Sequence, residues 1–454
     1  MSCTNAAIGT PWSVGEAVAA LQQRLNDAGG IHWTSVELQR YLLEALRTLS
    51  AYTQRYRNRG TFSSVGAQTF YDLPTVVPSL RGYNVTSQDL IVDIEYALME
   101  PPTPTSWTGT AQFNLALILE AINSRLNQFL LETGAVQTHV VYAGVTPDAA
   151  GRIVLDESVM TIRRLAWVKD GITTPLRRDD EWGMTHYALG WPTQYPSLPA
   201  RTWPTAYSVG VTPPLTVQLA PPPPSPGSLD VVAVSVGATL TTGTVPLGIP
   251  DDWSWVIKWG ALAELLSRDG VAYDPTRAAY CEARWQQGVQ MARVASVVLN
   301  GAVNGNLMLS RSLAEIDAYR RNWQNASGTP SMVVLAGQNL VALNTPPDGT
   351  YTVELDMVQN VPVFTIGDLT DCLAVDEPMR DVFLDYAQHL AVWKEGPQQA
   401  QSTMALFERF QRLCGVQQMV DAASVPTRGP LLQQTVQDER AEARMSGAEP
   451  TVIP

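Results

Sequence analysis

Residues 251–270, DDWSWVIKWGALAELLSRDG, have a counterpart in residues 377–396, EPMRDVFLDYAQHLAVWKEG. Each segment opens on acidic residues or Glu-Pro, continues as an apolar helix, and ends in an acidic residue followed by glycine. Asp269-Gly270 and Glu395-Gly396 match at the same spacing as the segment starts. A second helical pattern follows each segment, so the chain is predicted to contain two copies of a helical hairpin.

The residues ahead of each hairpin alternate apolar and polar side chains, which is typical of half-buried strands. Residues 215–219 have this pattern in the first copy, and residues 351–357 have it in the second. The segment 217–222, VQLAPP, is echoed by 341–347, VALNTPP. These matches predict two strand-rich units, each closed by a helical hairpin.

The N-terminal part carries a duplication of its own. Trp33-Thr34-Ser35 is predicted to open a helix that holds Leu42 to Leu46, and residues 107–110, WTGT, a helix that holds Ile118 to Ile122. Shorter helices are predicted ahead of them at 14–25 and 87–99, each ending in a turn rich in Gly or Pro. The order along the chain is therefore hairpin, hairpin, sheet unit, sheet unit.

These patterns predict an α+β fold, in which helical-hairpin bundles combine with antiparallel β-sheet units of sandwich or barrel-like form, internally duplicated. A chain of 454 residues is long enough for about three domains. The predicted parts are a first helical hairpin with strands (1–86), a second helical hairpin (87–150), a first β unit with its closing hairpin (151–300), a second β unit with its closing hairpin (301–420) and an extended tail (421–454).

Composition and charge exclude several classes of protein. The chain is 45% hydrophobic and 16% charged, as folded proteins are, and its net charge of -13 disfavours nonspecific binding to nucleic acid. No apolar run approaches the roughly 20 residues that span a bilayer, and no secretory leader is present, so we expect an intracellular protein without membrane contact. The four cysteines are scattered without paired spacing, which predicts free thiols.

Catalytic and metal-binding motifs are lacking. The four histidines form no HExxH, Ser64 and Ser208 do not match GxSxG, and no phosphate loop occurs, so we expect no enzyme, cofactor or metal site. Two acidic groups, Asp179-Asp180-Glu181 and Asp251-Asp252, are the candidates for acid/base carboxylates or for a cation site. Asp251 and Asp252 precede an apolar helix, where acidic side chains cap free amides, and we favour helix capping for them.

A basic stripe is the first candidate interaction surface. Residues 35–59 place apolar side chains at helical spacing, and the opposite side carries arginines. The arginines on this side indicate one of two roles. They contact DNA or an acidic partner, or they form a solvated face on which the last arginines interact favourably with the helix dipole. The arginines are Arg40, Arg47, Arg55, Arg57 and Arg59.

Two further segments supply candidates. Residues 182–204 are dense in Trp, Tyr and Pro, and Trp191 and Trp203 would either grip a sugar or a partner, or pack over a sheet edge. The tail after Val420 buries too little apolar surface to fold alone, so we expect it to dock on a neighbouring subunit. Its candidate contacts are Arg428, Pro430 and Leu431.

The order of motifs along residues 14–295 resembles the head-to-tail adaptor proteins of tailed bacteriophages, the connector or neck family that includes tail tubular A-like proteins. A Trp-led helical pair comes first, and Tyr71-Asp72-Leu73-Pro74 follows it. The same order then continues through Arg163 to Gly171, Leu176-Arg177-Arg178-Asp179, Val217 to Pro221, and the hairpin that opens at Ile249-Pro250-Asp251-Asp252. Two N-terminal hairpins and a second sheet unit exceed the pattern of the simplest family members.

The resemblance implies a virion structural protein assembled in the host cytoplasm. Such a subunit forms a homo-oligomeric ring, a dodecamer in this family, that docks below the portal protein. The ring continues the DNA channel, lets double-stranded DNA pass without sequence-specific binding, and attaches a tail or nozzle protein. An acidic bore would keep the channel from holding the phosphates. The alternatives are a tail-tube, tail-terminator or baseplate subunit and, from another class, a carbohydrate-binding or carbohydrate-cleaving protein.

Overall fold

The computed structural model describes residues 12–99, 113–148, 151–180, 182–184, 203–210, 215–241, 243–270, 273–295, 297–320 and 322–424. The fold is α+β, as predicted, and none of the described sheets closes into a barrel. The helices include α1 (Val14–Arg24), α2 (Ser35–Thr53), α3 (Leu73–Val76), α4 (Pro78–Arg81), α5 (Ser87–Ala97), α6 (Leu115–Thr133), α7 (Ser254–Ser267), α8 (Pro275–Val294), α9 (Leu313–Tyr319), α10 (Arg380–Trp393), α11 (Pro397–Ser402) and α12 (Met404–Ser424).

The strands form one seven-stranded sheet and two four-stranded sheets. They are β1 (Arg57–Ser63), β2 (Phe70–Asp72), β3 (Thr138–Val145), β4 (Arg152–Val154), β5 (Val159–Lys169), β6 (Ile172–Pro175), β7 (Arg177–Arg178), β8 (Ala206–Val209), β9 (Thr216–Ala220), β10 (Gly227–Ser235), β11 (Val298–Val303), β12 (Asn306–Ser312), β13 (Met332–Ala336), β14 (Leu340–Leu343) and β15 (Thr352–Val358).

The duplication is nested, because one copy of the unit is inserted into the other. Strands β1 and β2 pair with β15 and β14, so the start and the end of the chain form one sheet. We call residues 12–81 and 297–424 the outer copy, and residues 84–295 the inner copy. The predicted ranges 1–86 and 301–420 thus combine in the outer copy, and 87–150 and 151–300 combine in the inner copy.

Helix lengths agree between the copies. Helices α1 and α5 both have 11 residues, and α2 and α6 both have 19. Helices α7 and α10 both have 14 residues, and a three-residue 3-10 helix precedes each of them, at Asp251–Trp253 and Glu377–Met379. The closing hairpins therefore keep the constant offset predicted from the sequence.

Backbone hydrogen bonds at the start of each copy also coincide. The amide of Val14 donates to the carbonyl of Asp371 (2.9 Å), and the amide of Ser87 donates to the carbonyl of Val245 (2.8 Å). Likewise Leu373 donates to Trp12 (2.9 Å), and its counterpart Leu247 donates to Val85 (3.0 Å). Capping boxes begin both first helices, with N-caps at Ser13 and Thr86. Each copy thus anchors its first helix to its own second half.

The sheets follow one strand order in both copies. The outer sheet runs β1-β15-β11-β12-β13-β14-β2, and the inner copy runs β3-β10-β5-β6 and then β7-β8-β9-β4 in two sheets. Equivalent hairpins turn at Asp170-Gly171 and Asn304-Gly305, where all four residues have positive φ angles. Each copy encloses an apolar core between the two halves of its sheet structure.

The helices of both copies share a single apolar core. In the outer copy α2 packs on α10 and α12, and in the inner copy α6 packs on α7 and α8. Leu38, Leu42, Leu46 and Leu49 of α2 are fully buried, which confirms the predicted amphipathic face. The two bundles therefore form one continuous helical layer.

Two predicted helix boundaries are wrong. Helix α6 is predicted to open at residues 107–110, which lie outside the described residues. It begins instead directly after Asn114, its N-cap, whose side chain accepts a hydrogen bond from the amide of Leu117 (2.9 Å). Helix α2 ends at Thr53, since Gln54 takes the left-handed conformation. The predicted helix 35–59 therefore stops before its last three arginines, of which Arg57 and Arg59 belong to strand β1.

One cysteine also departs from expectation. Cys372 is disulfide-bonded, so the prediction of free thiols is wrong there. Cys281 and Cys414 are buried free thiols, and Cys3 lies outside the described residues. Within the described ranges, no helix is long and apolar enough to cross a bilayer.

Candidate functional site: the contact between the two copies

A buried ion pair joins the two helical bundles. The ammonium of Lys258 on α7 contacts the carboxylate of Glu44 on α2, and the two side chains are only 4% and 5% exposed. The other oxygen of Glu44 accepts a hydrogen bond from the indole of Trp259 (3.0 Å). Both charges are thus satisfied across the boundary between the copies, which a buried pair requires for stability.

Next to this pair, Arg284 of α8 enters the outer copy. Its guanidinium donates to the hydroxyls of Tyr386 (2.6 Å) and Tyr52 (3.2 Å), and it lies over the ring of Phe407 at 4.4 Å. Burial raises the pKa of Tyr386, so the phenol stays protonated. This contact holds a cation against aromatic rings and hydroxyl groups rather than against a carboxylate.

A neutral histidine continues the contact between the bundles. The Nε2 of His389 on α10 lies 2.8 Å from the hydroxyl of Tyr280 on α8, and its Nδ1 lies 2.8 Å from the hydroxyl of Thr403. Burial, together with the positive charge of Arg284, lowers the pKa of His389 to about 3. The ring is therefore uncharged at neutral pH and acts as a structural hydrogen-bonding group.

The sheets of the two copies meet through a second polar network. Arg164 of β5 donates to Asp317 of the outer copy (2.7 Å), and Asp230 of β10 accepts from Gln324 (3.1 Å). His139 lies 2.9 Å from Asp230 and stacks on Phe70 of β2, with ring centroids 4.0 Å apart. Helices thus contact helices and sheets contact sheets, so the copies lie side by side with the same orientation.

The predicted capping role of Asp251 and Asp252 is wrong, because neither side chain bonds to the amides of its own helix. Asp251 accepts hydrogen bonds from the backbone amides of Asn84 (2.7 Å) and Val85 (2.8 Å), at the start of the inner copy. Asp252 accepts from the hydroxyl of Ser50 in the outer copy (2.9 Å). Burial raises the pKa of Asp252 to about 6.

All five candidate arginines have partners within the chain, and those of the exposed pair are the carbonyl of Gln54 for Arg57 (3.4 Å) and Glu354 for Arg59 (3.4 Å). Arg40 pairs with Asp93 of the inner copy (2.7 Å), Arg47 donates to Ser254 (3.4 Å), and Arg55 pairs with Asp376. All three are partly buried, whereas Arg57 and Arg59 are exposed on β1. Two of the three, Arg40 and Arg47, thus join the copies, and binding of another molecule by these residues stays a prediction.

Of the other candidates, the structure describes Trp203, Asp179 and Asp180, which belong to the sheets of the inner copy and not to the contact between the copies. Trp203 is partly buried and packs against the core that the two sheets of the inner copy enclose. We call these two sheets the inner sandwich. Asp179 and Asp180 line an open cavity of about 890 Å³ on that sandwich, and Asp179 pairs with Arg177 at 2.7 Å. Four candidate residues and Glu181 lie outside the described residues: Trp191, Arg428, Pro430 and Leu431.

Sequence reasoning missed Glu44, Lys258 and Arg284, the buried residues that join the helical bundles of the two copies. A signal was present, because the chain has only three lysines and Lys258 interrupts an otherwise apolar helix. A lysine there needs a buried carboxylate, which Glu44 supplies. In the described part of the chain, no group of three or more His, Cys, Asp or Glu residues is arranged to hold a metal ion.

The contact is also asymmetric. Helix α2 of the outer copy packs on α7 and α8 of the inner copy, whereas its counterpart α6 packs on helices of its own copy. Each copy thus presents a different surface to the other, which makes the contact heterologous rather than two-fold. Heterologous contacts of this kind are the ones that join neighbouring subunits in rings.

Comparison with known protein families gives no match, and comparison with characterised protein sequences gives none either.

Proposed function

We propose that this chain is a structural subunit of a tailed-bacteriophage head-to-tail adaptor. In this proposal a homo-oligomeric ring, dodecameric as the resemblance implies, docks below the portal, continues the DNA channel and attaches the tail or nozzle. The protein resides in the neck of the virion and catalyses no reaction. The order of motifs described above is the basis for naming this class.

The observation that carries the proposal is the side-by-side packing of the two copies. Neighbours in a ring meet through heterologous contacts and keep one orientation along the ring axis. The two copies have both properties. Helices of one copy contact helices of the other, and sheets contact sheets, so the orientation is the same. The contact is heterologous because α2 packs on the inner copy, whereas its counterpart α6 packs on helices of its own copy. The chain therefore already contains a contact of the kind that a ring needs.

The charge of the chain suits a DNA channel. With a net charge of -13, it repels a duplex on average, so DNA would pass without being held. The partly buried arginines Arg40 and Arg55 are paired with Asp93 and Asp376, which limits their attraction for phosphate. An acidic bore is accordingly part of the proposal.

The test is negative-stain imaging of the purified protein with and without the portal ring, with classification by rotational symmetry. Rings stacked on the tail-side face of the portal are expected. Binding to tail components alone would contradict the adaptor role and favour a tail-tube, tail-terminator or baseplate subunit. Glycan binding that is lost in Trp191→Ala would instead favour the carbohydrate-binding alternative.

A further inference from the structure

Equivalent edge strands differ between the two copies. Strand β1 is an edge of the outer sheet and β3 is an edge of the inner sheet. Arg59 pairs with Asp356, and Val141 pairs with Asp230, which is the counterpart of Asp356. By this register, exposed Arg57, Asn58 and Arg59 stand where β3 has His139, Val140 and Val141. Charged side chains protect a sheet edge against added strands, and β3 lacks them.

A cap covers the core beside β1 in the outer copy. The chain leaves β2 as α3 and α4, whose Val77 and Leu80 are buried in the outer core. Both side chains pack on Gly60, where Leu80 Cδ1 would lie 2.9 Å from an added Cβ. The outer copy therefore closes its own open edge with the segment Pro74 to Leu80.

The inner copy has no equivalent of this cap among its described residues. Strand β4 leads through residues 155–158 directly into β5, and the position of Gly60 is taken by Tyr142, which is only partly buried. Val140 pairs with the core residue Val231, faces the same side as Tyr142, and is nevertheless 41% exposed. The sandwich is thus open beside β3, with apolar surface at its rim.

The C-terminal tail repeats the sequence of the cap. Residues 74–78 read PTVVP, and residues 450–454 read PTVIP. Ile453 corresponds to Val77, the residue that enters the outer core. The 25 residues between Ser424 and Pro450 can span up to about 85 Å when extended, so the tail is long enough to reach a neighbouring chain.

We propose that residues 450–454 of one chain dock beside β3 of a second copy of the chain, over Val140 and Tyr142, and cap its inner sandwich. A second copy is the source because of where the tail starts. Beyond α8 the chain passes from the inner copy into the outer copy as β11, and α12 is the counterpart of α8. By this correspondence, the proposal assigns the tail beyond α12 to the next chain of the proposed ring. This inference rests on the proposed ring, in which every chain has a neighbour.

The test uses a labelled peptide of residues 445–454 and the otherwise full-length chain that lacks 450–454. Saturable binding is expected, and Val140→Asp should weaken it at least about tenfold, because charge on this rim opposes apolar contact. Val154→Asp is the matched control, since Val154 is a 63% exposed valine on β4, and it should leave binding unchanged. Absence of saturable binding, or equal losses in both variants, would overturn the proposal.

Complementation then identifies the source of the tail. The chain lacking 450–454 and the full-length Val140→Asp chain should each self-associate at least about tenfold more weakly than the wild type, as measured by sedimentation. Mixed one to one, they should form a heterodimer through the single intact contact. Peptide binding without a heterodimer would mean that the tail caps its own chain, which overturns docking on a second copy. A heterodimer that does not bind the portal would count against the adaptor role alone.

Discussion

Removing Glu44 should destabilise the whole chain, because Glu44 neutralises a lysine buried between the copies. In Glu44→Ala the ammonium of Lys258 stays buried, near the rings of Trp259 (5.3 Å) and Tyr41 (5.9 Å). Breaking a buried ion pair by removing one partner costs about 3–5 kcal/mol, and the orphaned indole donor adds about 1 kcal/mol. The free energy of unfolding should therefore fall by about 4–6 kcal/mol.

Urea titration followed by tryptophan fluorescence measures this loss. Glu120→Ala is the control, because Glu120 is 64% exposed and pairs with Arg268 at 3.4 Å, so its removal should cost under about 1 kcal/mol. The double variant Glu44→Leu/Lys258→Met should regain most of the stability, since apolar residues replace a buried pair at little cost. A loss below about 1.5 kcal/mol in Glu44→Ala, or a double variant no better than the single one, would refute this reasoning.

Three further substitutions test the packing, the titration and the capping described above. Gly288→Ala should destabilise by roughly 1–3 kcal/mol in thermal unfolding although alanine favours helices, because its Cβ would lie 2.4 Å from Val256; a stabilised variant would contradict this. Since unfolded histidine gains a proton near pH 6.5 and folded His389 only near pH 3, wild-type stability should fall by about 2–3 kcal/mol more than that of His389→Gln between pH 7 and pH 4.5, and equal losses would refute the neutral ring. Asn114→Ala should cost about 1 kcal/mol in urea unfolding through the lost cap on Leu117, and no change would mean that the cap is dispensable.

Local patterns predicted the elements well. The apolar spacing of α2 and the repeated hairpins at 251 and 377 rest on side-chain periodicity, which a sequence displays directly. The ends of helices were harder to predict, because Gln54 ends α2 in a left-handed conformation that glutamine rarely adopts. The start of α6 at Asn114 was likewise decided by a single side-chain hydrogen bond.

The nesting and the contact between the copies could not be predicted from these patterns. Pairing of β1 with β15 joins residues almost 300 positions apart, and periodicity carries no information about which distant strands meet. Asp251 illustrates the same limit, since its position suggested helix capping, whereas its partners are the amides of Asn84 and Val85. Side chains at the start of a helix choose between local and distant donors according to the tertiary fold.

Because the inner copy is inserted into the outer copy, the two copies are completed at different times during synthesis. The N-terminal half of the outer copy leaves the ribosome first, yet the strands that complete its sheet follow only after about 215 intervening residues. At typical translation rates this delay is roughly 10–45 s. The inner copy is contiguous and can fold during that interval, while the apolar faces of α1 and α2 wait for α10. Nascent chains therefore expose their first two helices longest, and chaperones that bind apolar segments have most opportunity there.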